Sequence, residues 1–319
     1  MKRQEILLMR LDRLGDLVLT LPAIYSAHKN FPKAKIDLLI NEKLVELVEG
    51  IPFIRRVYTV DPFKTRILKL IRLIFDLRKN NYDLAIDLAP ATNHLSSIIL
   101  GLTSSQTKVG YAVGLRRYCV DIKVVPPLIT KYERDMVLDI LRRAGLKKIE
   151  KKMVIPLDAN ATRTIEGLLE KYNITKNDKL IGIFPGAGDP LKMWPKENFI
   201  ELIKKIKKEY SHQVIVCGGK EDRTLCDEIT QATVSINFAG RLNLKQLCAF
   251  IKRLDLFIGN NSGPMHIAIG VGTTVIVCDL ATPQYNPTFR WIPQKKGVIV
   301  LNKSHITLGD VCKELEGIR

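Results

Sequence analysis

The stretch Asn260-Asn261-Ser262-Gly263-Pro264-Met265-His266 gathers the groups best suited to hold a ligand. It follows the apolar run Leu254 to Gly259, of strand type, and precedes Ile267 to Gly272, which reads as a helix running to a Gly stop. Asn and Ser suit a helix cap, Gly263 allows close backbone approach, and Pro264 falls near the first helical turn. Such a turn aims unpaired backbone N–H groups and the positive helix end at one point, which suits a phosphate or diphosphate. An ordinary capped turn has the same residues, so the stretch alone leaves both readings open. His266 either touches the ligand or is satisfied within its helix.

Other candidates lie in similar turns. Pro185-Gly186-Ala187-Gly188-Asp189-Pro190-Leu191-Lys192-Met193-Trp194-Pro195 follows the predicted strand Lys179 to Phe184, and Gly218-Gly219-Lys220-Glu221-Asp222-Arg223 follows Gln213 to Cys217. Three turns at strand carboxyl ends converge on one edge of a parallel sheet. Lys192 is a compact cation able to stabilise charge on a leaving diphosphate, or else a solvated loop lysine. In the first half, Asp16 follows Gly15 in the loop after the predicted strand Glu5 to Arg10. A carboxylate there can take a hydroxyl proton. It is also the acid that a helix N-terminus favours.

The elements that position these residues alternate between strand and helix. Glu5 to Arg10, a loop, a helix over 17–30 and a strand over 35–40 form one β-loop-α-β unit. A basic amphipathic helix spans 62–80, suited to packing by its apolar face or to lying on an anionic membrane. A strand over 82–88 places Thr92-Asn93-His94 at the ligand edge. A further strand ends at Tyr111, a basic loop holds Arg116 and Arg117, and 131–145 is helical. The mixed segment 150–165 marks a domain boundary, giving domains 1–157 and 158–319. Helices over 196–209, after Arg223, over 243–253 and over 304–318 alternate with strands in the second half. Both halves are therefore α/β with parallel sheets.

Bulk properties narrow the partners. The 319 residues carry 50 Lys+Arg against 33 Asp+Glu, a net +17. Residues 1–155 hold 28 basic and 16 acidic residues, so +12 of the excess lies there. That suggests an anionic partner: a phosphorylated or carboxylated substrate, a membrane surface or nucleic acid. No nucleic-acid recognition module is present, so nucleic acid is not expected as a partner. Six cysteines and five histidines show no metal spacing, and neither metal nor cofactor is expected. The cysteines read as reduced, in the cytoplasm. Charged residues interrupt the first apolar run, so no signal peptide is expected, and no run is long enough for a membrane span. The absence of G-x-G-x-x-G, of a phosphate loop and of G-x-S-x-G disfavours dinucleotide dehydrogenases, P-loop enzymes and serine hydrolases.

Four pieces then add up. They are Arg13-Leu14-Gly15-Asp16 with Leu19-Thr20-Leu21-Pro22-Ala23; Pro185-Gly186-Ala187 through Lys192-Met193-Trp194-Pro195; Cys217-Gly218-Gly219 with Glu221-Asp222; and Gly259 through His266. In order and spacing the chain resembles the heptosyltransferases, the glycosyltransferase family 9 enzymes of lipopolysaccharide core synthesis, from residue 6 to 290. The resemblance implies a GT-B architecture, two Rossmann-like domains facing across a cleft, with the terminal helix able to return to the first domain. It implies inverting displacement at an anomeric carbon, with a nucleotide-sugar donor, commonly ADP-heptose, and no obligatory metal. By carry-over, Asp16 is the general base and Lys192 meets the donor diphosphate. Pro185, Gly186, Asn261, Ser262, Gly263 and His266 line the donor, and Asp222 meets its ribose. Arg13, Lys64, Arg116 and Arg117 are expected on the side of an anionic, lipid-linked saccharide acceptor, with the enzyme peripheral at the inner face of the inner membrane. One departure stands out: the family commonly has Asp-Ser-Gly or Asp-Thr-Gly where this chain has Asn261-Ser262-Gly263. Asn keeps size and hydrogen bonding but drops the charge. A nucleotide-sugar-binding paralogue with weak or no transfer is the alternative that this suggests.

Overall fold

The computed structural model describes residues 4–210, 212–280 and 288–317 and falls into two units, Met1–Pro156 and Leu157–Arg319. In the first unit the elements run β1 (Glu5–Arg10), α1 (Leu14–Asn30), β2 (Lys35–Asn41), α2 (Val45–Val48), β3 (Ile54–Val60), α3 (Ile67–Arg78), β4 (Tyr82–Asp87), α4 (His94–Leu102), β5 (Ser105–Tyr111), β6 (Ile122–Val124) and α5 (Glu133–Arg143). In the second they run α6 (Ala159–Glu170), β7 (Leu180–Phe184), α7 (Lys196–Glu209), β8 (Gln213–Val216), α8 (Arg223–Thr233), β9 (Ile236–Asn237), α9 (Leu244–Arg253), β10 (Leu256–Asn260), α10 (Gly263–Val271), β11 (Thr274–Leu280), β12 (Val298–Lys303) and α11 (Leu308–Glu316).

Both sheets are six-stranded and parallel, in the orders β3-β2-β1-β4-β5-β6 and β12-β11-β10-β7-β8-β9. Counted from its own first strand, the second sheet repeats the order of the first. In each, the chain winds outward, returns to the middle and winds the other way. That reversal falls between β1 and β4 in one sheet and between β7 and β10 in the other. The loops leaving those strands part there, opening the crevice where doubly wound sheets take ligands.

The central strands carry near-continuous apolar runs because helices cover both their faces. Ile6, Leu7, Leu8 and Met9 of β1 are all buried, with Ile6 in register with Ile36 on one side and Leu84 on the other. Met9, Leu39, Leu73, Leu77, Ile99 and Leu100 share one core, which seats α3 and α4 on the sheet. Ile183, Phe199, Ile203, Ile258 and Ile276 share another, in the second unit. Val311, Cys312 and Leu315 of α11 join that second core, which seats the terminal helix on its own unit.

Edge strands β3, β6 and β12 fall where no strand was expected, and α6 starts inside the stretch read as a boundary. Burial pushes the thiols of Cys226 and Cys278 up to about 12, so both stay protonated and pack as small apolar groups. Among the described residues, no helix is long and apolar enough to cross a membrane.

Candidate functional site

The switch point of the first sheet is built around Arg10, the last residue of β1. Its Nη1 donates to the Leu88 carbonyl just past β4, at 2.6 Å, so one side chain ties together the two loops that part there. Nε meets Asp12 at 2.9 Å, and Nη2 meets Asp16 at 2.8 Å and Glu133 of α5 at 3.0 Å. Burial by itself would favour the neutral guanidine, but Asp16, Asp12 and Glu133 together hold Arg10 charged and its pKa above the usual range. Asn93, the N-cap of α4, donates to Asp12 at 3.3 Å and fastens the second loop to the first.

Asp16 sits within this frame. Its Oδ1 accepts from Arg10 and its Oδ2 from the Arg13 backbone N–H at 3.1 Å. The carboxylate is therefore a helix-capping acid and also a fixed, partly exposed group. Each oxygen keeps a second lone pair, so it can still accept a proton. Arg13 and Lys64 are exposed, as expected of surface cations. Arg117 is exposed too, donating to the Gly114 carbonyl and lying 5.8 Å over the Tyr118 ring.

Arg116 is different. Expected as an acceptor-side surface cation, it is 0% exposed. Its Nε pairs with Asp87 at 2.8 Å, Nη1 donates to the Ala89 carbonyl at 2.6 Å, and Nη2 donates to Ala91 and Ser96. Gly110 makes the room, since a Cβ there would stand 2.9 Å from Arg116 Cδ. The guanidinium is used up in fastening the 114–118 turn to the carboxyl edge of β4. Burial raises the Asp87 pKa, while Arg116, Ser96 and the Ala89 N–H pull the other way.

In the second unit, Asn260 does for β7 and β10 what Arg10 does for the first sheet. It is fully buried; its Nδ2 donates to the Pro185 carbonyl at 2.7 Å and its Oδ1 accepts from the Trp194 N–H at 2.9 Å. Both ends of the 185–194 loop are thereby pinned beside the turn that opens α10. Lys192 ends the short helical turn Pro190–Lys192 within that loop, and Asp189 caps the turn by accepting from the Leu191 N–H. Asp222 lies against the same loop: a Cβ on Gly186 would stand 2.3 Å from its carboxylate. It accepts from the Gly219 N–H at 2.8 Å, and burial raises its pKa against that bond.

The start of α10 keeps polar groups to spare. Ser262 is the N-cap residue but makes no side-chain cap bond, and its buried Oγ has no partner among the described residues. His266, one turn on, is buried with Nδ1 likewise unpartnered, and burial lowers its pKa to about 4. It is neutral at physiological pH. Because the folded value lies below the unfolded one, its contribution to stability is present above about pH 6.5 and lost as pH falls toward 4.

Asn261 donates from Nδ2 to Asp279 Oδ1 at 3.0 Å. Asp279 also accepts from Asn302 at 3.0 Å and from the Thr288 hydroxyl. An Asn at 261 is thus the residue that lets a carboxylate sit at 279. Asn261→Asp is expected to set two carboxylates in contact and cost about 1–3 kcal/mol at neutral pH. One of the pair would then hold its proton above the usual range when folded, so the loss should shrink as the pH falls. Thermal melts of variant and wild type at acid and neutral pH read this out; a gap independent of pH would mean the groups do not interact.

No role was expected for Arg10, Glu133, Asp87 or Asp279, nor for Asn260 as the pin of the 185–194 loop. A polar residue closing a buried apolar run was the available signal for Arg10, Asp87 and Asn260. Glu133 and Asp279 gave none.

Residues 70–300 match the family model for glycosyltransferase family 9 (heptosyltransferase). The chain belongs to this family. It is a glycosyltransferase, similar along its length to lipopolysaccharide heptosyltransferases. It is 26% identical over 324 residues to lipopolysaccharide heptosyltransferase 1 of Campylobacter coli, covering 97% of this chain and 94% of that one. It is 26% identical over 273 residues to lipopolysaccharide heptosyltransferase 3 of Escherichia coli K12, covering 82% and 78%. Among solved structures, a family 9 glycosyltransferase of Veillonella parvula superposes with a TM-score of 0.88 at 23% identity, over 100% of this chain and 98% of that one. The E. coli ADP-heptose lipopolysaccharide heptosyltransferase II does so at 0.79 and 18%, over 99% and 98%. An E. coli heptosyltransferase solved with ADP does so at 0.78 and 15%, over 99% and 100%. The fold of this family 9 enzyme is thus the GT-B fold of the heptosyltransferases.

Proposed function

We propose that this enzyme moves a heptose, or a related sugar, from an ADP-linked donor to an anionic, lipid-linked saccharide of the lipopolysaccharide core, with inversion. The observation that carries the donor half is the start of α10 at the second switch point, with the buried Ser262 Oγ left over and Asn260 pinning the 185–194 loop beside it. Backbone N–H groups there and Lys192 would hold the diphosphate and offset its charge as the sugar leaves. His266, neutral, would offer a hydrogen bond without charge. Asp222 would meet the ribose from the Gly218-Gly219 turn. In the first unit Asp16 would take the proton of the attacking hydroxyl while Arg10 keeps its carboxylate aimed. Arg13, Lys64 and Arg117 would meet the acceptor's anionic groups. Solved relatives with ADP and with ADP-2-deoxy-2-fluoro heptose support the choice of donor. A lipid-linked acceptor puts the work at the inner face of a membrane, which the enzyme would visit peripherally from the cytoplasm.

The test is a thermal-shift series over nucleoside diphosphates, then nucleotide-sugars, followed by product analysis. At a hundredfold its dissociation constant a ligand stabilises by about 2.7 kcal/mol. Stabilisation by ADP and ADP-heptose over other nucleotides, with inverted product, is expected. Asn261 supports one other reading, a nucleotide-sugar-binding relative with little transfer; binding with no product on any acceptor would favour it.

Lys192→Ala should weaken ADP binding by about 10- to 150-fold, the equivalent of a charge-assisted bond of about 1.5–3 kcal/mol, and slow turnover. Calorimetric titration with ADP checks it. Unchanged affinity and rate together would remove Lys192 from the donor site.

A further inference from the structure

We propose that the outward face of α3, α4 and the 114–118 turn is a docking surface for an anionic lipid bilayer, held by inserted apolar side chains as well as by charge. The inference rests on the reading of a lipid-linked acceptor given above.

Helix α3 is apolar on two sides. Leu73 and Leu77 face the core of the first unit. Ile67, Ile71 and Phe75, spaced four apart, form a second stripe with Leu68 beside it. Ile67, Leu68 and Phe75 are 72%, 77% and 63% exposed. Phe63 in the preceding turn is exposed as well. Helix α3 packs against α4, and α4 against the 114–118 turn. Those neighbours add the exposed Ile98, Leu102, Leu115 and Tyr118. Scattered apolar residues on a surface are ordinary, but a run of large ones over three adjoining elements marks an interaction site.

Charge selects the partner. Residues 62–80 hold Lys64, Arg66, Lys69, Arg72, Arg78 and Lys79 against a single acid, Asp76. The 114–118 turn adds the exposed Arg117, while its neighbour Arg116 is buried against Asp87 and adds no surface charge. Lys69 and Lys79 are paired with Glu42 and Asp76, whereas Lys64, Arg66 and Arg72 form no ion pair among the described residues. A second copy of the chain docked through this face would set cations against the same cations, since a two-fold interface pairs a patch with itself. A nucleic acid would meet the cations but leave the aliphatic side chains without a role. Anionic headgroups over hydrocarbon satisfy both, which is how a basic amphipathic helix lies in a membrane interface. Phe75 and its stripe would enter the acyl boundary while Arg66 and Arg72 stay at headgroup level.

The experiment is co-sedimentation of the full chain with vesicles of phosphatidylcholine, with and without phosphatidylglycerol, at low and high salt. The wild type is expected to bind the anionic vesicles, losing part of that binding in salt and keeping part. Two variants separate the contributions. Ile67→Ser, Leu68→Ser, Ile71→Ser and Phe75→Ser together should abolish the salt-resistant part, weakening binding about tenfold or more. Arg66→Gln with Arg72→Gln should reduce the salt-sensitive part. All six positions are exposed, and the thermal shift with ADP should stay at the wild-type value in both variants. If both variants sediment as the wild type does, or the wild type binds neutral vesicles equally well at any salt, the proposal is overturned. If sedimentation velocity finds a wild-type dimer that the serine variant abolishes, the face belongs to a second copy and the proposal fails. A wild type that docks on vesicles yet transfers no sugar to any lipid-linked acceptor would sink the functional reading and leave the docking surface standing.

Discussion

Replacing Asp16 by alanine is expected to lower kcat by about 10²- to 10⁴-fold while donor affinity stays near that of the wild type. The carboxylate stands at the first switch point, partly exposed, with Arg10 on one oxygen and the Arg13 N–H on the other. Fixed orientation with a lone pair to spare is what a base needs before substrate arrives. Alanine also removes a helix cap, worth about 1 kcal/mol, and one of the three carboxylates around Arg10. Asp12 and Glu133 remain to hold the guanidinium, so the fold should survive. Asp16→Asn separates the two effects in part, because its single amide oxygen can still accept from Arg10 or from the Arg13 N–H, though not from both in the wild-type geometry, and it cannot take the proton. Both variants should be inactive to a similar degree, with the asparagine one melting closer to the wild type. Steady-state kinetics with each substrate varied, and ADP titration, provide the readings. Activity within a few-fold of the wild type would leave Asp16 only its capping role.

The second large effect concerns stability. Arg116→Met should destabilise the protein by about 3–5 kcal/mol, because it strands the buried Asp87 without its cation. For a unit of this size that is a fall of about 6–20 °C in melting temperature. The Asp87 pKa is already raised by burial, and without Arg116 it should rise further. A carboxyl that holds its proton more tightly folded than unfolded stabilises as pH falls, so the deficit of the variant should shrink in acid. Adding Asp87→Asn to Arg116→Met should recover much of the loss, since no buried charge is then left alone. Melts of both variants across pH decide it. A single variant that melts like the wild type would show that Asp87 finds another partner. On the donor site proposed above, the donor's dissociation constant should not move in either case.

The sequence by itself determined what local patterns can carry. Alternating apolar runs and amphipathic stretches predict parallel α/β halves, because a strand buried on both faces and a helix packed on one have different periods. The turns at 185–195, 218–223 and 260–266 could be placed at strand ends for the same reason. The order and spacing of their residues were enough to point to the family. Elements lacking such a pattern went unread. Strand β3 is a half-buried edge strand interrupted by Arg55 and Arg56, and β6 is three residues long. Helix α6 opens with Ala-Asn-Ala-Thr-Arg, which looks like linker until its buried Ala161, Ile165 and Leu169 find a surface to cover.

The tertiary structure alone decided how the charges are shared. Arg116 and Arg117 are adjacent and identical in type, yet one is sealed against Asp87 and the other lies on the surface. Glu133 reaches Arg10 across 123 positions of chain, and Asn260 holds both ends of one carboxyl-edge loop from 75 and 66 positions away. Asn261 owes its tolerance of a missing charge to Asp279, 18 residues on. No periodicity encodes such pairs. They arise because a parallel sheet brings the ends of distant strands to one edge, where a buried charge or amide persists only if a partner meets it there.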